Sequence, residues 1–290
     1  MSFQIITDSC ANLTSAQIKD FGIKVVSLSY TVGDTEYLGY VEGEEADYKG
    51  FYDMLRKKEQ VKTSLVSYER VEKLLRETLD GGKDVLYICF SSALSGSFQI
   101  VRNCINDIME DYPERKALAV DSLCASMGQG LLVKYAVDKQ KQGFTLEQTA
   151  EWLEENKLNL VHLFTVDDLF FLKRGGRLSG TVAVVGTLLG IKPLLHVNDE
   201  GKLVSYGKTR GRRAAIDALV EKMGELGEDL ENQDIFVAHG DCAEDCEYAA
   251  EQIKARYNVK SIAVNFIDSV IGAHSGPGTL AIFFMGKSRI

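Results

Sequence analysis

Val85-Leu86-Tyr87-Ile88-Cys89-Phe90 is apolar at every position, so a strand formed by this segment needs cover on both faces. Such a strand belongs in a parallel sheet flanked by helices, because a solvated face would demand polar residues at alternate positions. The neighbouring segments agree. Phe3 to Ile6 reads as a short strand, Ala16 to Phe21 as a helix capped by Asn12 or Thr14, and Ile23 to Tyr30 as a second strand. Val71, Leu74, Leu75 and Leu79 recur at helical spacing behind Ser67 and stop at Gly81-Gly82. Beyond the apolar run, Ile100, Cys104, Ile105 and Ile108 predict a helix, Ala117 to Val120 a strand, and Leu131 to Val137 another helix. Thr145 and Gln148 form a capping box for a helix carrying Trp152 and Leu153. Strand and helix in alternation are the mark of βαβ units.

After about Lys157 the rhythm changes. Val161 to Val166 predicts a strand, Asp168 to Lys173 a short helix ended by Gly175-Gly176, and Thr181 to Leu189 a nearly uncharged helix. Pro193 to His196 and Leu203 to Tyr206 flank Asn198-Asp199-Glu200-Gly201, a hairpin signal. Helices over Ala214 to Met223 and Glu244 to Tyr257 alternate with strands at Ile235 to Ala238, Ile262 to Ile267 and Thr279 to Met285. The expected fold class is therefore α/β with two domains. Residues 1–157 form a parallel-sheet α/β domain carrying the candidate loops, and residues 158–290 an α+β domain.

The 290 residues suffice for two domains without disulfides or structural metal, and a 45% hydrophobic, 26% charged composition excludes a disordered or fibrous chain. A net charge of −9 has the wrong sign for neutralising a phosphate backbone, so no nucleic-acid partner is expected. The N-terminal segment lacks a basic region and reads as no signal peptide. The charge-free stretch Ser269 to Gly286 is broken by Gly276-Pro277-Gly278, which leaves at most transient contact with a membrane surface. Six scattered cysteines without a CxxC pair read as reduced core thiols of a cytoplasmic protein.

Chemistry concentrates at strand ends. Ser91-Ser92-Ala93-Leu94-Ser95-Gly96-Ser97 lies between the buried strand and a helix start, where hydroxyls and free N–H groups suit a small anion. It is neither a Walker motif nor GxSxG, and Ser95 or Ser97 could equally serve as a plain helix cap. Lys62-Thr63-Ser64-Leu65-Val66-Ser67 is a second hydroxyl cluster, open to a pure capping role. Thr7-Asp8-Ser9 reads mainly as structural support. In Lys173-Arg174-Gly175-Gly176-Arg177, Arg177 follows a glycine pair and could aim a planar fork at a carboxylate or phosphate. Gly272 to Gly278 reads as a glycine-rich loop between strands that presents His274, one of only four histidines. His239-Gly240-Asp241 lacks the further ligands a metal site requires, so no metal is expected.

Taken in order, Thr7-Asp8-Ser9, Lys62-Thr63-Ser64, Ser91 to Ser97, Leu172 to Arg177, Gly190-Ile191-Lys192-Pro193, Lys208-Thr209-Arg210-Gly211, His239-Gly240-Asp241 and Gly272 to Gly278 resemble the DegV family of bacterial fatty-acid-binding proteins along nearly the whole chain. The resemblance implies a two-domain α/β protein, not itself an enzyme, that holds one long-chain fatty acid at the domain junction and needs no cofactor. It implies that Thr63 and Ser95, with Gly96 beside them, hold the carboxyl group and that His274 completes the network. It further implies presentation of the acid to a separate ATP-dependent fatty acid kinase, with Arg177 facing the carboxyl or its phosphate and Arg210 on the docking surface. One departure is Leu65-Val66, where many members carry Gln-Pro.

A carrier of this kind must remove the tail from water and satisfy the head with a few donors. Burying roughly sixteen methylenes at ~0.8 kcal/mol each yields on the order of 10 kcal/mol before ordering costs. Thr181 to Leu189, Ile262 to Ile267 and Leu280 to Phe284 are candidate tail walls. The rival reading is a serine acyl hydrolase that uses Ser95, His274 and a carboxylate such as Asp121 or Asp241.

Overall fold

The computed structural model describes residues 3–178 and 190–290. The first half builds a parallel sheet from β1 (Phe3–Asp8), β2 (Lys24–Val26), β6 (Asp84–Cys89) and β7 (Ala117–Asp121), in the order β2-β1-β6-β7. Every residue of β6 is buried, as its two-faced apolarity requires. Helices α1 (Ser15–Phe21), α3 (Tyr68–Asp80), α4 (Ser97–Ile108), α5 (Met127–Lys141) and α6 (Leu146–Asn156) accompany it. Thr14 caps α1 in a reciprocal box with Gln17, and Thr145 with Gln148 does the same for α6.

The expected strand from Ile23 to Tyr30 divides in two. β2 joins the parallel sheet, whereas β3 (Ser29–Val32) pairs antiparallel with β4 (Thr35–Leu38) and β5 (Val61–Thr63) in a separate small sheet. The break falls at Ser27-Leu28, where the Leu28 N–H donates to Ser9 Oγ instead of a neighbouring strand. Helix α2 (Tyr48–Arg56) is not among the expected elements, although Asp47 caps it by accepting the Gly50 N–H and its apolar residues share one face. It is held by tertiary packing, with Phe51, Tyr52 and Leu55 buried against Ala273 and the Tyr52 hydroxyl donating to Ile267 O.

The second half forms a mixed six-stranded sheet, β10-β9-β8-β13-β11-β12. Its strands are β8 (Leu160–Thr165), β9 (Ile191–Val197), β10 (Leu203–Arg210), β11 (Asp234–His239), β12 (Ser261–Phe266) and β13 (Leu280–Met285). Helices α7 (Leu169–Arg174), α8 (Arg212–Leu226), α9 (Ala243–Arg256) and α10 (Ser269–Ser275) complete it. The hairpin expected at Asn198 to Gly201 is present, and its tip docks on the first half through a bond from Ser91 Oγ to Gly201 O. The helix expected over Thr181 to Leu189 lies outside the described residues.

Between the two sheets lies α5, apolar around most of its circumference and buried from Met127 to Val133. Two glycines admit it: a Cβ on Gly128 would stand 2.2 Å from His162 Nε2, and one on Gly130 2.5 Å from Ala11 O. One hydrophobic cluster runs from Ile5 and Leu86 through Leu131 to Phe164 and Phe283, so the two sheets share a core. A second cluster lies on the other face of the mixed sheet, under α8 and α9. The six cysteines are all unpaired thiols.

Candidate ligand-binding site

At the junction a pocket opens between the C-terminal end of the parallel sheet and the inner face of the mixed sheet. It is partly open to solvent. Its walls are mostly apolar. Phe90 and Leu94 come from the first half, Phe164 from β8, Val270 from α10, and Ala281 and Phe283 from β13. Ala281 and Phe283 project to the same side because strand side chains alternate. Of the expected walls, Ile262 to Ile267 contributes Ile267, Leu280 to Phe284 contributes these two, and Thr181 to Leu189 is not described.

Thr63, Ser95, Arg177 and His274 all line this pocket, although they come from four separate segments. Thr63 ends β5, whose position is fixed by pairing with β3 and by Ser64 N–H donating to Ser29 O. Its Oγ1 lies 2.8 Å from His274 Nε2. Ser95 Oγ lies 2.9 Å from Ser97 Oγ and accepts from the Ser97 N–H at 3.3 Å, at the start of α4. Gly96 is the N-cap of α4 and is exposed. A Cβ there would meet Leu65 Cδ1 at 3.3 Å, so Leu65, at the position of the departing Leu-Val pair, covers this turn.

His274 does not sit on a loop, as its glycine-rich surroundings suggest. It occupies the last turn of α10, and the positive φ values of Gly276 and Gly278 turn the chain only after that helix. Gly175 leaves room for the ring, since a Cβ there would be 2.3 Å from His274 Nδ1. Burial, together with the Arg177 and Arg174 charges, pulls the imidazole down to about 4, so the ring is neutral at pH 7. Arg177 does not extend freely. Its Nε donates to Leu94 O at 3.2 Å and a terminal nitrogen donates to Gly175 O. Arg210 is apart from the pocket, exposed at the end of β10 opposite Ile191.

Beneath the pocket lies a buried polar knot. Asp8 accepts from the Cys10 and Phe90 N–H groups, and Asn12 Oδ1 accepts from Ser126 Oγ at 2.7 Å and from the Asp268 N–H. Asp268 caps α10 through the Ile271 N–H at 2.9 Å. Burial raises Asp8 to about 6 and Asp268 to about 7. Thr7-Asp8-Ser9 has the supporting role expected of it, tying the end of β1 to Ile88, Phe90 and Leu28, while Asn12 reaches the residue that caps the helix carrying His274.

The hydrolase arrangement is not assembled. His274 bonds Thr63 and Ser95 bonds Ser97, while Asp121 accepts from the Ser92 and Leu123 N–H groups and Asp241 pairs with Arg56. His239 accepts the Cys242 N–H, a turn-closing contact. Among the described residues there is no cluster of His, Cys, Asp and Glu able to hold a metal, and no helix long and apolar enough to cross a membrane. Sequence reasoning passed over Ser126, His162, Val270 and Ser275, which also line the pocket. The α10 positions 270, 271, 274 and 275 follow helical spacing, a signal hidden by reading the segment as a loop.

Comparison with known proteins agrees with this architecture. A family model described as "Uncharacterised protein, DegV family" matches residues 2–287. The chain belongs to the DegV family. A DegV domain-containing protein of Clostridium perfringens is 41% identical over 287 residues, covering 99% of this chain and 98% of the relative. Among solved DegV structures, a protein from Thermus thermophilus described by its fatty acid binding superimposes with a TM-score of 0.88 at 27% identity, covering 99% of this chain and 100% of the other. DegV of Bacillus subtilis, described as a fatty acid binding protein, gives 0.84 at 29% identity with the same coverage.

Proposed function

We propose that this chain binds a long-chain fatty acid in the junction pocket, with the tail against Phe90, Phe164 and Phe283 and the carboxylate facing Thr63, Ser95 and His274. The observation that carries the reading is His274 bonded to Thr63 at 2.8 Å within a mostly apolar pocket. If the His274 proton resides on Nε2, the ring donates to Thr63 Oγ1, which frees the threonine hydroxyl hydrogen for an anionic oxygen. Ser95 has the same capacity, and exposed Gly96 begins α4 beside it, where the helix dipole favours negative charge. The residues 1–157 and 158–290 then act as two domains that each supply part of the wall. Relatives described as fatty acid binding proteins support the choice of a fatty acid as ligand.

In the fuller reading the bound acid is presented to an ATP-dependent fatty acid kinase. Arg177, anchored at Leu94 O and Gly175 O beside the pocket, would stabilise charge developing on the carboxyl during phosphoryl transfer, and exposed Arg210 would contact the kinase. Denaturing extraction of the purified protein followed by mass spectrometry is expected to release a stoichiometric fatty acid. Thr63→Ala and Ser95→Ala should each weaken retention by roughly 1–3 kcal/mol while folding normally. Arg177→Ala should retain the acid yet lose acyl-phosphate formation with kinase and ATP. Absence of lipid in the wild-type extract would overturn fatty-acid binding, and wild-type turnover of Arg177→Ala at saturating kinase would leave carriage as the whole function.

A further inference from the structure

Ser275 is 5% exposed and lines the junction pocket next in sequence to His274. The other buried or half-buried polar groups of the lining have protein partners. Thr63 meets His274, Ser95 meets Ser97, Ser126 donates to Asn12, and Thr279 donates to the Ser275 and Gly276 carbonyls. His162 accepts the Ala125 N–H at Nε2, which leaves its Nδ1–H for Leu160 O. Among the described lining residues, Ser275 Oγ is the buried side-chain polar atom that no protein atom satisfies. A hydroxyl in this condition costs free energy unless something else completes it.

Resting on the fatty-acid reading above, we infer that Ser275 is a further carboxylate-binding residue, whose hydroxyl donates to a ligand oxygen that Thr63 and Ser95 leave available. A saturated tail offers no acceptor, so the ligand atoms able to satisfy Ser275 Oγ are the carboxyl oxygens. The placement fits this role. Ser275 closes α10 directly after His274, the residue that bonds Thr63, and its carbonyl is held at 2.9 Å by Thr279 Oγ1. A carboxylate has about four lone-pair sites and is served best by several donors at once.

The test titrates palmitate into delipidated wild type, Ser275→Ala and Ser275→Thr, with a thermal melt of each in the absence of lipid. Ser275→Ala is expected to bind palmitate about 5- to 30-fold more weakly, and Ser275→Thr, which keeps the hydroxyl, to restore most of the affinity. The melt of Ser275→Ala should equal or exceed the wild type, since an unpartnered buried hydroxyl has been removed. Unchanged affinity in Ser275→Ala would overturn the assignment, as would equal weakening in both variants, which would point to shape. Should the alanine variant fail to fold, Ser275→Cys, similar in size but a weak donor, takes its place with the same criteria. Wild type that binds no palmitate would refute the underlying function instead.

Discussion

Asp268→Asn tests whether the buried polar knot beneath the pocket carries a titrating carboxyl. Asp268 is 1% exposed; one carboxylate oxygen caps α10 and the other has no partner. Burial lifts its pKa from 3.8 to about 7, with Asp8 adding to the effect. A carboxyl raised in the folded state contributes stability that is complete below the unfolded pKa and is lost as pH rises through the folded one. Between pH 5 and pH 8 this contribution falls by about 2–3 kcal/mol, from two units of protonation at 1.36 kcal/mol each. Asparagine keeps the capping oxygen but cannot ionise. Its absolute stability is hard to use, because the new amide brings donors that the site does not satisfy. The pH dependence avoids that difficulty. Asp8, raised to about 6, follows the same trend, and the four histidines, all lowered by burial, oppose it because their contribution is lost as pH falls below about 6.5, but these groups are present in both proteins and largely cancel in the difference. Urea unfolding from pH 5 to 8 should therefore show wild type losing about 2–3 kcal/mol relative to Asp268→Asn as pH rises. A difference constant across that range would refute the reasoning, because it would mean Asp268 keeps one protonation state throughout.

Gly128→Ala places a methyl 2.2 Å from His162 Nε2 and should shift the ring off the Ala125 N–H. Overpacking of up to about 3 kcal/mol outweighs the ~1 kcal/mol helix-propensity gain, so the urea midpoint should fall; an unchanged midpoint would mean the contact relaxes freely. Phe283→Leu removes the ring that packs edge-on to His162 while staying apolar, and the acids extracted from the purified variant should shift toward longer or bulkier chains. An unaltered profile would show that the tail does not reach β13.

Much of this protein follows from local physical chemistry. The apolar run of β6 has no other home than a covered parallel strand, and Thr145 with Gln148 announces α6 through bonds made within four residues. Thr63, Ser95, Arg177 and His274 are each open to a plain structural role when taken alone, and it is the order of their motifs along the chain that points to the family. What local chemistry could not reveal is whatever depends on distant partners. α2 has a local cap at Asp47, but its seat is set by Ala273 and Ile267, more than two hundred positions away, and the strand at Ile23 to Tyr30 is split by a hydroxyl from Ser9. The helical state of Ser269–Ser275 rests on a cap from Asp268 and on packing against α2 and α7, contacts that outweigh the glycines suggesting a loop. That conformation decides which atoms face the pocket. It brings His274 to Thr63 and leaves Ser275 without a protein partner, because a site drawn from both halves of the chain exists only once the two sheets have closed on α5.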